Sequence, residues 1–239
     1  MILFLDLEHP KELAEGALRV ERKESMERRR LLFQELSGEP CRTCHYSEFR
    51  REELRSPDIS SLVTSGNRSL WEDYNIAEDF AEFRGAIEEA SKPVLGICGG
   101  HQLIAMLLGG ESAPIRRLAA GEADIHPEYA PGFLKEWNYY EVEFSPDPLF
   151  AGLRGRIVVN EAHFWHLVRM PESLRVIARN RNCPVQAMRQ AGKLIYGVQF
   201  HPEVNDPEHP DGRRVLENFF SLGKAPRRDP TSEDRDSSE

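Results

Sequence analysis

Residues 93–102 read Pro93-Val94-Leu95-Gly96-Ile97-Cys98-Gly99-Gly100-His101-Gln102. An apolar run enters a glycine, a single cysteine follows, and two more glycines lead into the apolar stretch Leu103–Leu108. The pattern Gly-x-Cys-x-Gly is the cysteine form of a nucleophile elbow, a sharp strand-to-helix turn that exposes one side chain at its apex. Glycines are needed there because side chains beside the apex would collide with the turn. The arrangement puts Cys98 at the carboxyl edge of a sheet, where open α/β folds bind ligands. The positive end of the following helix favours a thiolate, and the Gly99 N–H is aimed where an oxyanion would form. A buried structural cysteine at a strand end is the plain alternative. The flanking glycines and the following His101-Gln102 weigh against it.

A cysteine nucleophile needs a histidine to take its proton and return it to the leaving group. The chain has 8 histidines. His201 has the best setting, in Gly197-Val198-Gln199-Phe200-His201-Pro202-Glu203. An apolar strand delivers it to a sheet end, and Pro202 stops the strand. Glu203, two residues on, can orient the imidazole and stabilise its charged form. An exposed His-Pro turn is the alternative for any lone histidine, and a carboxylate at this spacing counts against it.

Outward from these two segments, strands and helices alternate. Strands are expected over 2–6, 41–49, 61–64 and 93–98, and helices over 11–37, 71–90 and 100–108. The later half is richer in strands, at 139–144, 156–160, 174–179, 184–189 and 194–200, with a last helix over 211–221. This order predicts an α/β fold, a mostly parallel open sheet flanked by helices with a strand-rich second half. Residues 112–136 form a long, poorly periodic connection, expected as a loop beside the site or equally as an insertion with no bearing on it. Residues 1–222 form one domain on this reading, and 223–239 a disordered acidic tail with too little apolar surface to order itself.

Hydrophobic residues make up 40% and charged residues 30% of the 239 positions, with a net charge of -9. An acidic balance argues against a dedicated nucleic-acid binder with a basic face, while leaving room for a local basic patch. No stretch reaches the roughly 18 apolar residues of a membrane span, and the short apolar start lacks a basic leader. A cytoplasmic protein is expected. Four cysteines do not make a disulfide scaffold in a chain of this size.

The segments Pro93–Gln102 and Gly197–Glu203, in this order, resemble the class I glutamine amidotransferases, whose flavodoxin-like glutaminase domain carries a Cys-His-Glu triad. Val63-Thr64-Ser65-Gly66 resembles the family's strand and turn that supply the second oxyanion-hole amide, here from Gly66. Leu108-Gly109-Gly110 follows the nucleophile helix as in the family. Lys135–Val142 resembles the matching segment of GMP-synthase-type glutaminase domains, and His163–Pro171 the family's His-bearing loop. The resemblance implies that Cys98, His201 and Glu203 cleave the side-chain amide of glutamine through a thioester. It also implies that Gly66 and Gly99 bind the oxyanion, that Gln102 and His163 lie at the substrate, and that no cofactor or metal is used. Ammonia would pass to a separate synthetase subunit, or the protein would be a free-standing hydrolase.

Three departures stand out. Gly99 replaces a frequent Leu, Asn67-Arg68 replaces a frequent Pro turn, and Phe164-Trp165 replaces Gly-Asp after the loop histidine. These changes reshape the pocket while sparing the triad, so a hydrolase of another γ-glutamyl amide or peptide is the second reading. A non-catalytic binding or regulatory relative is the third, and the intact triad counts against it. Cys41-Arg42-Thr43-Cys44-His45 matches the c-type haem pattern, but its strand setting would put the two thiols on opposite faces, and a zinc site on Cys41, Cys44 and His45 would lack a second cysteine pair. Arg28-Arg29-Arg30 lies among glutamates and reads as a solvated helix face.

Overall fold

A computed structural model describes residues 1–14 and 16–224. Its elements in chain order are β1 (Ile2–Asp6), α1 (Pro10–Leu13), α2 (Gly16–Ser37), β2 (Cys41–His45), α3 (Glu52–Arg55), β3 (Ser61–Thr64), α4 (Ile76–Asp79) and α5 (Ala81–Glu89). They continue with β4 (Val94–Ile97), α6 (Gly99–Leu107), β5 (Glu111–Pro114), β6 (Glu136–Phe144), β7 (Arg156–His163), β8 (Trp165–Arg169), β9 (Leu174–Arg179), β10 (Ala187–Gln190), β11 (Ile195–Val198) and α7 (Asp211–Leu222). From residue 225 on, the expected tail lies outside the described residues.

A 9-stranded sheet runs in the order β2-β1-β3-β4-β11-β10-β9-β6-β7. Neighbours from β2 to β11 pair in parallel, and those from β11 to β7 antiparallel. The sheet is the open, helix-flanked α/β arrangement expected, with the strand-rich half forming the antiparallel side. Strands of the parallel half are apolar on both faces because helices cover both. In β1, Leu3 and Leu5 pack with Phe83 and Ile87 of α5 and Leu103 and Ile104 of α6. Ile2 and Phe4 pack on the other face with Met26 and Phe33 of α2 and Val215 and Phe219 of α7. Cys41 and Cys44 fall in these two opposite cores, so they cannot converge on one metal or haem.

The single helix expected over 71–90 is broken into a 3-10 turn at Trp71–Asp73, then α4 and α5. The cause is an aromatic corner. Tyr74 packs against Trp71 at 5.5 Å and Phe80 at 5.5 Å, and its hydroxyl donates to the Leu7 carbonyl at 2.7 Å. These contacts outweigh the helical period of the segment. Likewise, the stretch over 11–37 divides into α1 and α2, and β2 ends at His45, where the Tyr46 N–H turns to the Asp6 carbonyl at 2.9 Å. A second, 2-stranded sheet pairs β5 with β8, an element that the loop reading of both segments does not contain.

The elbow depends on close backbone packing. A Cβ on Gly96 would sit 2.5 Å from the Gly100 carbonyl carbon and oxygen, and one on Gly100 would sit 1.8 Å from Thr64 Oγ1. The first clash is with backbone, which cannot rotate away. Gly96→Ala is therefore expected to lower the thermal midpoint by about 10 °C. Circular dichroism melts check this, and an unchanged midpoint would show that the turn yields.

Candidate active site

Cys98 sits between β4 and α6 with φ 51°, a left-handed conformation unusual outside glycine and costing of order 1–3 kcal/mol. The surrounding structure holds it there. Its N–H donates to the Val198 carbonyl of β11 at 2.8 Å, so the elbow is pinned to the strand that carries the histidine. His201 follows β11, and its N–H donates to the Asn160 carbonyl of β7 at 2.7 Å. The imidazole and the Cys98 thiol border the same cavity, and the imidazole Nδ1 lies 2.8 Å from Glu203 Oε1.

Burial pulls the His201 imidazole down, but the charges of Glu203 and Cys98 and hydrogen bonds to both outweigh it and lift it to about 10. Burial pushes the Glu203 carboxyl up, but the charges of His201 and Arg29 hold it at about 2. Arg29 Nε lies 3.1 Å from Glu203 Oε1. This corrects the reading of the arginine run as a solvated face. Arg29 is turned inward and is only 19% exposed. Two turns earlier on the same helix face, Arg22 pairs with Asp6 and donates to Ser65 Oγ at 2.7 Å and to the Gly66 carbonyl at 2.9 Å. Sequence reasoning missed both arginines. Their seven-residue spacing on one face of a charged helix was the available signal.

The turn after β3 lies against the elbow. A Cβ on Gly66 would approach Cys98 Cβ at 3.2 Å and His201 Cε1 at 3.3 Å, so this position tolerates little beyond glycine. A Cβ on Gly99 would sit 1.8 Å from Asn67 Oδ1. The Asn67 side chain thus fills the space that a residue larger than glycine at 99 would use, and Nδ2 donates to the Ser69 carbonyl at 2.8 Å. Two of the departures noted in the sequence are one packing solution.

A cavity of about 450 Å³ opens over Cys98 and His201, bounded by Gly66, Arg29, Tyr129 and Trp137. A recess of only about 30 Å³ lies on the other side of Cys98, bounded by Gly99, Gln102, His163 and Trp165. Tyr129 borders both. It belongs to the long connection after β5, which does lie beside the site as expected. A fully buried Lys135 orders that connection, donating to Asp124 at 2.5 Å and to the His126 carbonyl at 3.0 Å. Phe164 packs edge-on against Tyr129 at 5.4 Å and tilted on Phe133 at 5.7 Å, so the Phe164 replacement anchors the loop.

His163 lies below the recess in a buried charge cluster. Its Nδ1 is 2.8 Å from the Trp165 carbonyl, which only accepts, so Nδ1 carries a proton. Its Nε2 lies 3.1 Å from both Glu136 Oε2 and Glu161 Oε2. The ligand atoms of these three residues lie within 4.8 Å of one another. Glu136 is already filled by Asn180, Asn182 and Gln186 as well as His163, so hydrogen bonds rather than a cation account for it. Burial pulls His163 down, while hydrogen bonds and charge from Glu136 and Glu161 lift it to about 10. Burial pushes the Glu161 carboxyl up to about 7. A raised acid favours folding below the ordinary value near 4.5 and loses that advantage as pH climbs through about 7. Glu161→Gln is expected to raise the thermal midpoint at pH 8 and leave it unchanged near pH 4.5. Equal shifts at both pH values would mean that charge is not the cause.

Residues 65–222 match the family model described as glutamine amidotransferase class-I. The chain is 35% identical over 175 residues to a glutamine-hydrolyzing GMP synthase subunit of Pyrococcus abyssi, covering 72% of this chain and 79% of that one. It is 36% identical over 174 residues to the same-named subunit of Saccharolobus solfataricus, again covering 72% and 79%. Among solved structures, a provisionally assigned GMP synthase subunit of Thermoplasma acidophilum superposes with TM-score 0.69 at 21% identity, over 94% of both chains. A glutamine amidotransferase of Methylobacillus flagellatus superposes with TM-score 0.62 at 17% identity, over 93% and 94%. These two likenesses concern the fold. With the elbow, the histidine strand and the turn of Gly66 assembled at one sheet edge, the chain belongs to the class I glutamine amidotransferase family.

Proposed function

We propose that this protein hydrolyses the side-chain amide of glutamine through a thioester on Cys98 and releases ammonia to a separate acceptor. The observation that carries the reading is the meeting of three segments at the carboxyl ends of β3, β4 and β11. There a Cβ on Gly66 would lie 3.3 Å from His201 Cε1 and 3.6 Å from Cys98 Sγ, so thiol, imidazole and turn converge on one spot. The Cys98 sulfur attacks the amide carbon, and the Gly66 and Gly99 N–H groups receive the charge on oxygen. His201 gives its proton to the leaving nitrogen, and the C–N bond breaks to give ammonia and a γ-glutamyl thioester. Water, losing a proton to His201, then attacks the thioester and frees glutamate and the thiol. Glu203, held by Arg29, keeps the imidazole oriented and its charged form favoured. Gln102 and His163 border the recess where the acyl part of the substrate would lie.

The larger cavity opens on the His201 side, where the leaving group departs, and this suits transfer to a partner. The Pyrococcus abyssi relative is by its name one subunit of a glutamine-hydrolyzing GMP synthase. All four cysteines are free and buried, which fits action in a reducing cytoplasm. Among the described residues no helix is long and apolar enough to cross a membrane. A second reading, another γ-glutamyl amide as substrate, is favoured by one observation. The cavity on the His201 side, about 450 Å³, has room for a leaving group larger than ammonia.

Ammonia release from L-glutamine decides the matter. Cys98→Ala is expected to abolish it with the fold intact, and His201→Asn to lower it by about a thousandfold. Turnover by Cys98→Ala at the wild-type rate would sink the mechanism. Release from larger γ-glutamyl amides alone would establish the second reading.

A further inference from the structure

We propose that Gln199 is a catalytic residue that stabilises the Cys98 thiolate, with its orientation set from a distance by the Trp71 indole acting through Gln102. Trp71 Nε1 donates to Gln102 Oε1 at 2.8 Å. An indole nitrogen can only donate, so the oxygen end of Gln102 must face it. The Gln102 Nε2 end then faces the Trp165 carbonyl at 3.1 Å and Gln199 Oε1 at 3.0 Å. The Trp165 carbonyl can only accept, so the amide orientation is fixed at both of its ends. With its oxygen taken by Gln102, Gln199 presents Nε2 to Cys98 Sγ at 3.6 Å.

Gln199 is fully buried, and Gln102 and Trp71 are nearly so. Water does not compete, and an N–H aimed at a sulfur that becomes negative is a charge-assisted bond. The reverse orientation would put a carbonyl oxygen against the thiolate and oppose it. The Gln199 backbone is itself held, its N–H donating to the Gln186 carbonyl at 2.8 Å. Gln199 thus stabilises the thiolate by hydrogen bond while His201 does so by charge. Gln102 and Trp71 are positioning residues, neither of which needs to touch substrate for this effect.

The inference rests on Cys98 being the nucleophile, and the test separates the two. The full chain is alkylated with iodoacetamide from pH 6 to pH 10, and labelling at Cys98 is read by peptide mass. Gln199→Met keeps length without a donor, and Trp71→Phe removes the indole N–H while keeping an aromatic ring. Gln199→Met is expected to slow Cys98 labelling about tenfold at pH 7, with rates converging with wild type at pH 10. Trp71→Phe should move the same way, by about threefold. A wild-type rate at pH 7 in Gln199→Met overturns the inference, as does an equal loss at every pH, which would report damaged packing. If Gln199→Met fails to fold by circular dichroism, Trp71→Phe decides alone by the same criteria. Wild-type labelling of Cys41, Cys44 or Cys183 as fast as Cys98 would instead undo the nucleophile reading. Labelling selective for Cys98 with one pH profile in all three proteins leaves that reading standing and overturns the role of Gln199.

Discussion

The parallel pairing of β4 with β11 is the constraint on which the site depends. The register that sets Ile97 beside Val198 also lets the Cys98 N–H close on the Val198 carbonyl. One hydrogen bond therefore fixes the elbow relative to the strand that continues into Gln199 and His201. A slip of one residue would turn each side chain of β11 to the other face and separate thiol from imidazole. The apolar filling of both faces of these strands, by α6 on one side and α2 and α7 on the other, is what makes that slip costly.

Much of this was legible because it is local. Gly96, Cys98, Gly99 and Gly100 announce the elbow within five residues, and His201-Pro202-Glu203 announces a strand end with a paired carboxylate. The backbone clashes at Gly96 and Gly100 are the physical content of the glycines in the motif. What stayed illegible is non-local. Arg29 reaches Glu203 from a helix far away in the chain, and nothing in the run Arg28-Arg29-Arg30 marks it as the one that does so. The Glu136, Glu161 and His163 cluster joins two strands whose pairing the pattern did not specify. The broken helix over 71–90 had the right apolar spacing, but Tyr74 found a better partner in the Leu7 carbonyl than in a continuing helix.

Buried charge is unusually dense near the recess. Glu136, Glu161, His163 and His201 are all at most 8% exposed. Isolated, each would be costly to bury in ionised form. Four donors satisfy Glu136, whereas the Glu161 oxygens accept no hydrogen bond among the described residues and have only the neighbouring His163 charge. A carboxylate left without donors in low dielectric is costly to ionise, which is why burial pushes Glu161 up to about 7.

The contact between Asn67 and the bare Gly99 has an evolutionary consequence. A larger residue at 99 meets Asn67 unless position 67 has already changed, whereas a smaller residue at 67 leaves only a gap over the glycine. The two positions are epistatic, and the order of substitutions matters. A lineage moving between this arrangement and one with a bulky residue after Cys98 must first empty position 67, passing through a looser turn after β3. The pair therefore records the direction in which the turn can be remodelled while the elbow of Cys98 keeps its shape.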